Sequence, residues 1–411
     1  MASPRAAGPG PAITAIVLAV SCLTIMANAT IAPSLPGLAA AFADVPNIET
    51  LSGLVLSLPS LAIVLTAGLA GALADRIERK WLLAAAMALY AAGGASGLVA
   101  TTLPQLLAGR VLLGIGVAGT MTVATILAAE YWSGAARVRL MGRQAAAMSA
   151  GGIAFLLLGG LLAGLSWRGP FAIYLAALPL ALAVMLGLLG RAAPAGPAPD
   201  GAAPMPWRVV ARIGALAFFT MAMFYVIPTR LPFLLTEIGI DAPLAAGAAI
   251  AAVTAASTLS ALAFPALRAR MGPQAIFGAS FLLMAAGYAL IATAGGLPQV
   301  IAGTLVVGFG LGATMPNQLS WLMAEVPEAA RGRAAGLLTT LVFAGQLASP
   351  LLAGLLATAF PLGAVFGLFA AVLALLGAIL LGLELRQQPR KGGRRQGPGH
   401  PPAVAAPTVG E

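Results

Sequence analysis

The chain has one histidine, His400, one cysteine, Cys22, and two lysines, Lys80 and Lys391. Each shortage excludes a class of chemistry. His400 lies close to the C-terminal end, so a core metal site built on histidine, or a serine-protease triad, has no imidazole to use. A single cysteine rules out an intramolecular disulfide, and Cys22, inside an apolar run, reads as a small packing residue. Neither lysine closes a GxxxxGK[ST] loop, so there is no Walker-type nucleotide site. Charge is the scarcest resource: 8% of the 411 residues, against 60% hydrophobic. A soluble globule carries roughly 25% charged residues. This chain cannot cover a water-facing surface, and lipid must be the solvent for most of it.

What is present is a series of apolar runs. A run of about 20 residues spans a bilayer, and twelve occur, at about 12–34, 50–74, 81–101, 104–128, 142–165, 168–190, 209–233, 243–267, 273–294, 297–322, 334–357 and 361–384. They are too long, and alternate too seldom, for a membrane β-barrel. The first run continues past its small-x-small stretch "MANA", so it reads as a retained span and not a cleaved signal. The acids lie at run ends, in loops or in the tails, which excludes a mid-membrane aspartyl pair. The expected product is an all-α membrane protein of twelve helices, with no catalytic residues, no metal and no cofactor.

The net charge of +10 is distributed by side. With a cytoplasmic N-terminus, all of the 22 Lys and Arg but Arg110, Arg168 and Arg230 fall in cytoplasmic loops, tails or adjoining helix ends. This is the positive-inside pattern. It implies a bacterial-type inner membrane, both termini in the cytoplasm, and no role in binding nucleic acid. The basic segment after residue 385 reads as a disordered anchor near anionic lipid headgroups.

The Pro- and Ala-rich stretch 191–208 divides the runs six and six. The expected order is a tail (1–11), a six-helix half (12–190), a cytoplasmic linker (191–208), a second half (209–385) and a basic tail (386–411). The halves are copies. "LPQLLAGRVLLGIGVAGTM" (103–121) matches "LPQVIAGTLVVGFGLGATM" (297–315), and "AARVR" (135–139) falls on "AARGR" (329–333) at the same offset. Both copies begin on one side of the membrane, so the repeat is parallel, one plan of secondary transporters.

The stretch "GALADRIERK" (71–80) crowds five of the scarce charges between two apolar runs. With the parallel six-helix repeat, it resembles the major facilitator superfamily over residues 12–385. The family's loop between helices 2 and 3 reads approximately G-x-L-A-D-R-x-G-R-[KR]. Gly71, Leu73, Ala74, Asp75, Arg76, Arg79 and Lys80 fit it, and Glu78 replaces the second glycine. The resemblance implies a major facilitator fold. It also implies a gating latch of Gly71, Asp75, Arg76, Arg79 and Lys80 that closes on the start of run 11 near Arg333 in the outward-facing state. Arg110, Gly114 and Gly116 in "GRVLLGIG" resemble run 4 of the drug/proton antiporter branch. Gly159, Gly160, Ala163 and Gly164 resemble that branch's helix-packing signature in run 5, with Gly160 in place of its proline. Asn28 stands where the branch carries an acid, which removes a favoured proton site.

In that fold, helices 1, 4, 7 and 10 line the central cavity. The polar candidates for substrate binding are then Thr24 and Asn28, Arg110 and Thr120, Tyr225, Asn317 and Gln318, joined by Gln346 from run 11. Arg110 is either a substrate group or a cation that snorkels to water. Met121, Met221, Met223 and Met315 are either a soft lining or ordinary packing. Pro316 beside Asn317 predicts a kinked or broken run 10. The expected function is a secondary active transporter, with a small-molecule substrate and protons as the coupling ion, acting as a monomer. Export of an amphipathic solute leads, uptake of an anionic solute follows, and a non-transporting scaffold is third. Asp75 and Glu49, which adjoin run 2, are the nearest substitutes for a mid-membrane proton site.

Overall fold

The computed structural model describes residues 10–187 and 204–387. The 1–9 portion of the tail, most of the linker and the basic segment after 387 lie outside the described residues, as does the side chain of Asn28. Twelve helical spans are present. They are α1 (Pro11–Ala41), α2 (Ile48–Ala74), α3 (Arg79–Leu98), α4 (Leu103–Tyr131), α5 (Gly134–Leu165) and α6 (Gly169–Gly187), then α7 (Trp207–Glu237), α8 (Pro243–Arg268), α9 (Pro273–Ala292), α10 (Leu297–Glu325), α11 (Glu328–Ala357) and α12 (Leu362–Arg386). Twelve crossings put residues 11 and 386 on one side, here the terminal side; the opposite one is the far side.

Local chemistry sets the helix ends. Pro104, Pro243, Pro273 and Pro298 sit in first turns, where a missing N–H costs nothing. Thr102 and Gln105 close a capping box at the start of α4, satisfying two backbone groups reciprocally. Gly134 takes φ +51° and turns the chain sharply from α4 into α5.

Three spans differ from the uniform helices expected from apolar length. α1 is helical over Pro11–Ala29, passes through a tight turn at Ala32–Ser34, and resumes over Leu35–Ala41. Pro33 and Pro36 lack the N–H groups that would carry a continuous ladder. α6 opens with a 3₁₀ stretch, Gly169–Ala176, led by Pro170. α10 breaks at Ala313, between Leu297–Gly312 and Thr314–Glu325. Pro316 leaves the carbonyl one turn earlier without its donor, so the expected kink falls three residues before the proline.

The duplication is visible in the packing. A methyl group added at Gly114 would lie 2.5 Å from the Pro59 carbonyl and 2.6 Å from Ala62 Cβ. At Gly308 it would lie 2.5 Å from the Val253 carbonyl and 2.7 Å from Ala256 Cβ. Each residue is 194 positions from its counterpart. Gly116 and Gly310 repeat the relation against α3 and α9, with methyl positions 2.5 Å from Tyr90 N and 2.6 Å from the Ser280 carbonyl. Small residues let backbones approach where dispersion replaces the hydrophobic effect.

The halves touch mainly through α2 with α11 and α5 with α8, and the described contacts cluster toward the far side. On α2 and α11, added methyls at Gly53 and Gly354 would come 2.8 Å from Pro350 Cβ and 2.7 Å from Arg230 Nη2. Toward the terminal side of the same helices, Gly68, Gly71, Gly332 and Gly336 have nothing within 4 Å. The molecule is closed on the far side, and α2 and α11 part toward the terminal side.

Candidate functional site

Arg110 is fully buried, so it does not snorkel to water. Its Nη2 donates to the Gly94 carbonyl at 3.0 Å and its Nη1 to the Tyr174 hydroxyl at 3.2 Å. The guanidinium lies 4.8 Å from the Phe171 ring centroid and 5.0 Å from that of Tyr174. Tyr174 in turn donates to the Ala27 carbonyl of α1 at 3.0 Å, and Tyr90 to the Leu23 carbonyl at 2.7 Å. Arg110 therefore ties α4 to α3 and α6, and through Tyr174 to α1. No salt bridge joins it to an acid among the described residues; aromatic faces and a carbonyl carry its charge. Sequence reasoning missed Tyr174 as its partner, although an aromatic-rich start to α6 was a usable signal.

The other candidates do not gather in one place. Thr120 is buried and donates to the Gly116 carbonyl of its own helix at 2.7 Å. Asn317 is buried, but its amide donates to the Pro273 carbonyl at 2.9 Å, which directs it toward the start of α9. Gln318 is held by Met315 Sδ at 2.8 Å. Tyr225 is buried and packs edge-on against Phe224. Thr24 is half-buried. Gln346 joins the halves: its Oε1 accepts from Ser60 of α2 at 2.8 Å. Ser57 and Ser349, also buried on α2 and α11, have hydroxyls with no partner.

A second cation belongs to the inter-half seam. Arg230 of α7 is 1% exposed; its Nη2 donates to Thr50 Oγ1 of α2 at 3.0 Å, and its Nη1 lies 3.7 Å from Glu49 Oε2. Two far-side cavities flank this region. One, of about 310 Å³, is lined by residues including Pro33, Gly37, Trp167, Pro232 and Pro243. The other, of about 360 Å³, is lined by residues including Glu49, Thr236, Glu237 and Phe360. No substrate-binding candidate read from the sequence lines either cavity. Among the described residues, no group of three or more His, Cys, Asp or Glu is placed to hold a metal.

Among the described residues, no side-chain hydrogen bond or ion pair joins the residues of the expected gating latch to one another. Asp75 is exposed and no hydrogen bond or ion pair joins it to a described residue. Gly71 meets no helix, because α2 and α11 have parted there. Arg76 is exposed and Lys80 half-buried. Arg79 pairs instead with Glu130 at the end of α4, at 3.3 Å within the first half. Arg333 stands exposed at the start of α11. The expected packing glycines divide. Gly114 and Gly116 pack as described, Gly160 meets the start of α8 with its methyl position 2.8 Å from the Pro243 carbonyl, and Gly159 packs on the Thr30 backbone of α1. Gly164 has nothing within 4 Å; it lies one turn past Gly160, where α5 has run beyond the first residue of α8.

A family model described as "Major Facilitator Superfamily" matches residues 17–274 and 213–407. Among curated proteins, the class C tetracycline resistance protein of Escherichia coli is 33% identical over 175 residues, 42% of this chain and 41% of that protein. The niacin transporter of Acinetobacter baylyi is 36% identical over 80 residues, 20% of this chain and 18% of its own length. The aligned stretches thus span less than half of each of these relatives. Among solved structures, a bacterial homologue of the human lysosomal transporter Spinster, described as inward-facing and occupied, gives a TM-score of 0.75 at 17% identity over 91% of this chain and 96% of its own. A D-xylose–proton symporter gives 0.73 at 16% identity over 90% and 96%. With the family model spanning nearly the whole chain, and with a twelve-helix repeat matched by solved transporters, the protein belongs to the Major Facilitator Superfamily.

Proposed function

We propose that this protein is a secondary transporter that exports a small amphipathic solute across the cytoplasmic membrane by alternating access, with both termini in the cytoplasm. The observation that carries this is the asymmetry of the inter-half seam. Glycines on the far-side portions of α2 and α11 are packed, and glycines on the terminal-side portions of the same helices face open space. That is the geometry of one of two alternating states, here open to the cytoplasm. Among the described residues, polar contacts between the halves include Ser60 with Gln346 and Thr50 with Arg230.

Export is favoured by the run 4 and run 5 resemblance and by the 175-residue likeness to a tetracycline resistance protein. With no Walker-type loop in the chain, energy is drawn from a gradient; protons are the proposed coupling ion, with Asp75 and Glu49 as carriers, against facilitated diffusion or solute exchange. Everted vesicles test the proposal: an imposed proton gradient drives solute into the lumen, and an uncoupler stops it. Accumulation that ignores the uncoupler and follows only the solute gradient refutes proton coupling. Accumulation only in right-side-out vesicles refutes export.

One observation favours a second reading, uptake of an anionic solute. Arg230 is buried at the seam, and its Nε and Nη1 make no hydrogen bond. Competition by carboxylates in right-side-out vesicles separates this reading from the first.

A further inference from the structure

We propose that Arg230, with Thr50 and Glu49, is the latch that holds the far side shut, and that α2 works as a lever with one carboxylate latch at each end. This rests on the alternating-access reading. Three helices meet at the guanidinium: α7 supplies it, α2 supplies Thr50 and Glu49, and α11 makes room with Gly354, where an added methyl would lie 2.7 Å from Nη2. The contact joins the two halves. It sits on the closed side, one turn from Gly53, whose methyl position is 2.8 Å from Pro350 Cβ.

The bonding is that of a releasable tie. Arginine has five N–H donors, and here a single hydrogen bond is made, to Thr50, with Nε and Nη1 unbonded. The under-satisfied cation recovers hydration when the seam opens to water, which lowers the cost of separation. Arg110, inside one half, uses two nitrogens on two acceptors and lies over two rings. Glu49 adds attraction at 3.7 Å while remaining 57% exposed, so water reaches it in the closed state. Among the residues lining its cavity, Glu237 is the other ionisable group, and no Lys or Arg lines it. Arg230 is therefore the positive partner of Glu49 here.

The opposite end of α2 completes the argument. Asp75 follows the last residue of α2 and is exposed, with no hydrogen bond or ion pair to a described residue. Glu49 lies in the first turn of the same helix and is engaged. One end is tied while the other is loose, and rocking α2 against α11 exchanges them.

The test is a far-side distance in the full-length protein in lipid nanodiscs. Spin labels at Ala43 and Ala359, in a Cys22→Ser background, report the spacing of the halves. The unsubstituted latch gives mainly the short distance. Arg230→Ala raises the long-distance population several-fold, Arg230→Lys restores part of the short one, and Glu49→Gln shifts it less than Arg230→Ala. Thr50→Ala gives a second variant that keeps the buried cation, with a shift in the same direction. A folded Arg230→Ala protein, or a folded Thr50→Ala protein, with an unaltered distance overturns the latch even where solute still moves in vesicles. A parent protein with a single far-side distance at both acidic and alkaline pH removes the alternating-access reading and the latch with it.

Discussion

Arg110 in α4 and Thr304 in α10 occupy the same place in the two copies of the repeat, 194 positions apart. The frame around them is shared: Gly93 packs on Leu113 and Gly287 on Val307 at that same offset. The fillings differ. In the first half Gly94 leaves room for the Tyr174 ring and offers its carbonyl to Arg110. In the second half the position of Gly94 is Tyr288, which fills the space itself and donates its hydroxyl to the Met223 carbonyl of α7. Thr304 turns back to the Ile301 carbonyl of its own helix. Both halves thus keep an aromatic hydroxyl tied to a carbonyl of their first helix, and only one keeps a cation. The frame does not require charge. Arg110 lies about two turns inside the far-side end of α4, where a buried Arg still costs insertion energy, up to roughly 2.5–3.5 kcal/mol at a helix centre. Its presence in one copy alone makes it the position to test.

The sharpest way to break that comparison is Arg110→Ala. Transport should be abolished in vesicles while the protein still folds. The change removes Arg110's bond to the Gly94 carbonyl and the bond the Tyr174 hydroxyl accepts, while that hydroxyl still donates to Ala27. The loss, about 1–3 kcal/mol, is visible as a lowered melting temperature. Arg110→Thr copies the second half and should also fail. Normal transport by Arg110→Thr would show that the two halves differ only in packing.

A smaller effect is expected at the loop after α2, where the halves also differ. Asp75 has Ala269 as its counterpart, so one half alone can latch through an acid there. Asp75→Asn should leave melting unchanged and slow transport several-fold, because the charge-assisted bond forms only in the state that closes the terminal side. Wild-type rates from a well-expressed Asp75→Asn protein would rule out that role.

Where the halves agree, matched substitutions should cost the same. Gly114→Ala and Gly308→Ala each drive a methyl to within 2.5 Å of a carbonyl oxygen on the neighbouring helix. Overpacking of this kind costs about 1–3 kcal/mol. Thermal melting should show both variants lowered by similar amounts within that range, and the double variant should lose the sum of the two within about 0.5 kcal/mol, as distant sites do. A large inequality would mean that the offset relates sequences without relating their packing.

The twelve spans and the glycine register were legible because apolar length and small-residue spacing are local properties. The breaks were only partly so. Pro316 announced the kink in α10, but the effect of Pro33, Pro36 and Pro170 on α1 and α6 depends on which turns bear the lost bonds. The site was least legible. Tyr174 is 64 residues from Arg110 and Thr50 is 180 from Arg230, and spacing within a helix cannot reveal such partners. Asn317 carried the right polarity for a cavity, yet Pro273 claims its amide. Gly53 and Gly71 lie at opposite ends of one helix, one packed and one open. Composition cannot distinguish them, because both are small residues in one apolar run and only the helix packed beside each one differs.

The smallest expected difference lies in the ion pairs of the terminal side. In the first half Arg79 and Glu130 pair at 3.3 Å with side chains 13% and 16% exposed. In the second half Arg212 and Glu325 pair at 3.4 Å with 45% and 40% exposed, and Trp321 Nε1 also donates to Glu325 at 2.8 Å. Solvent screens the second pair far more than the first, and exposed pairs contribute about 0–1 kcal/mol. A less exposed pair loses more on breakage, since its partner is left charged with little water. Arg79 Nε and Glu130 Oε2 already lack partners, which limits the first pair to a single strong contact. Glu130→Gln should therefore lower stability by about 1 kcal/mol, and Glu325→Gln by less, its amide oxygen still accepting from Trp321. Thermal melting at low and high salt decides it. The Glu325→Gln difference should vanish in about 1 M salt and the Glu130→Gln difference should persist. The reverse ranking would mean that the partly buried pair was no stronger than its exposed counterpart.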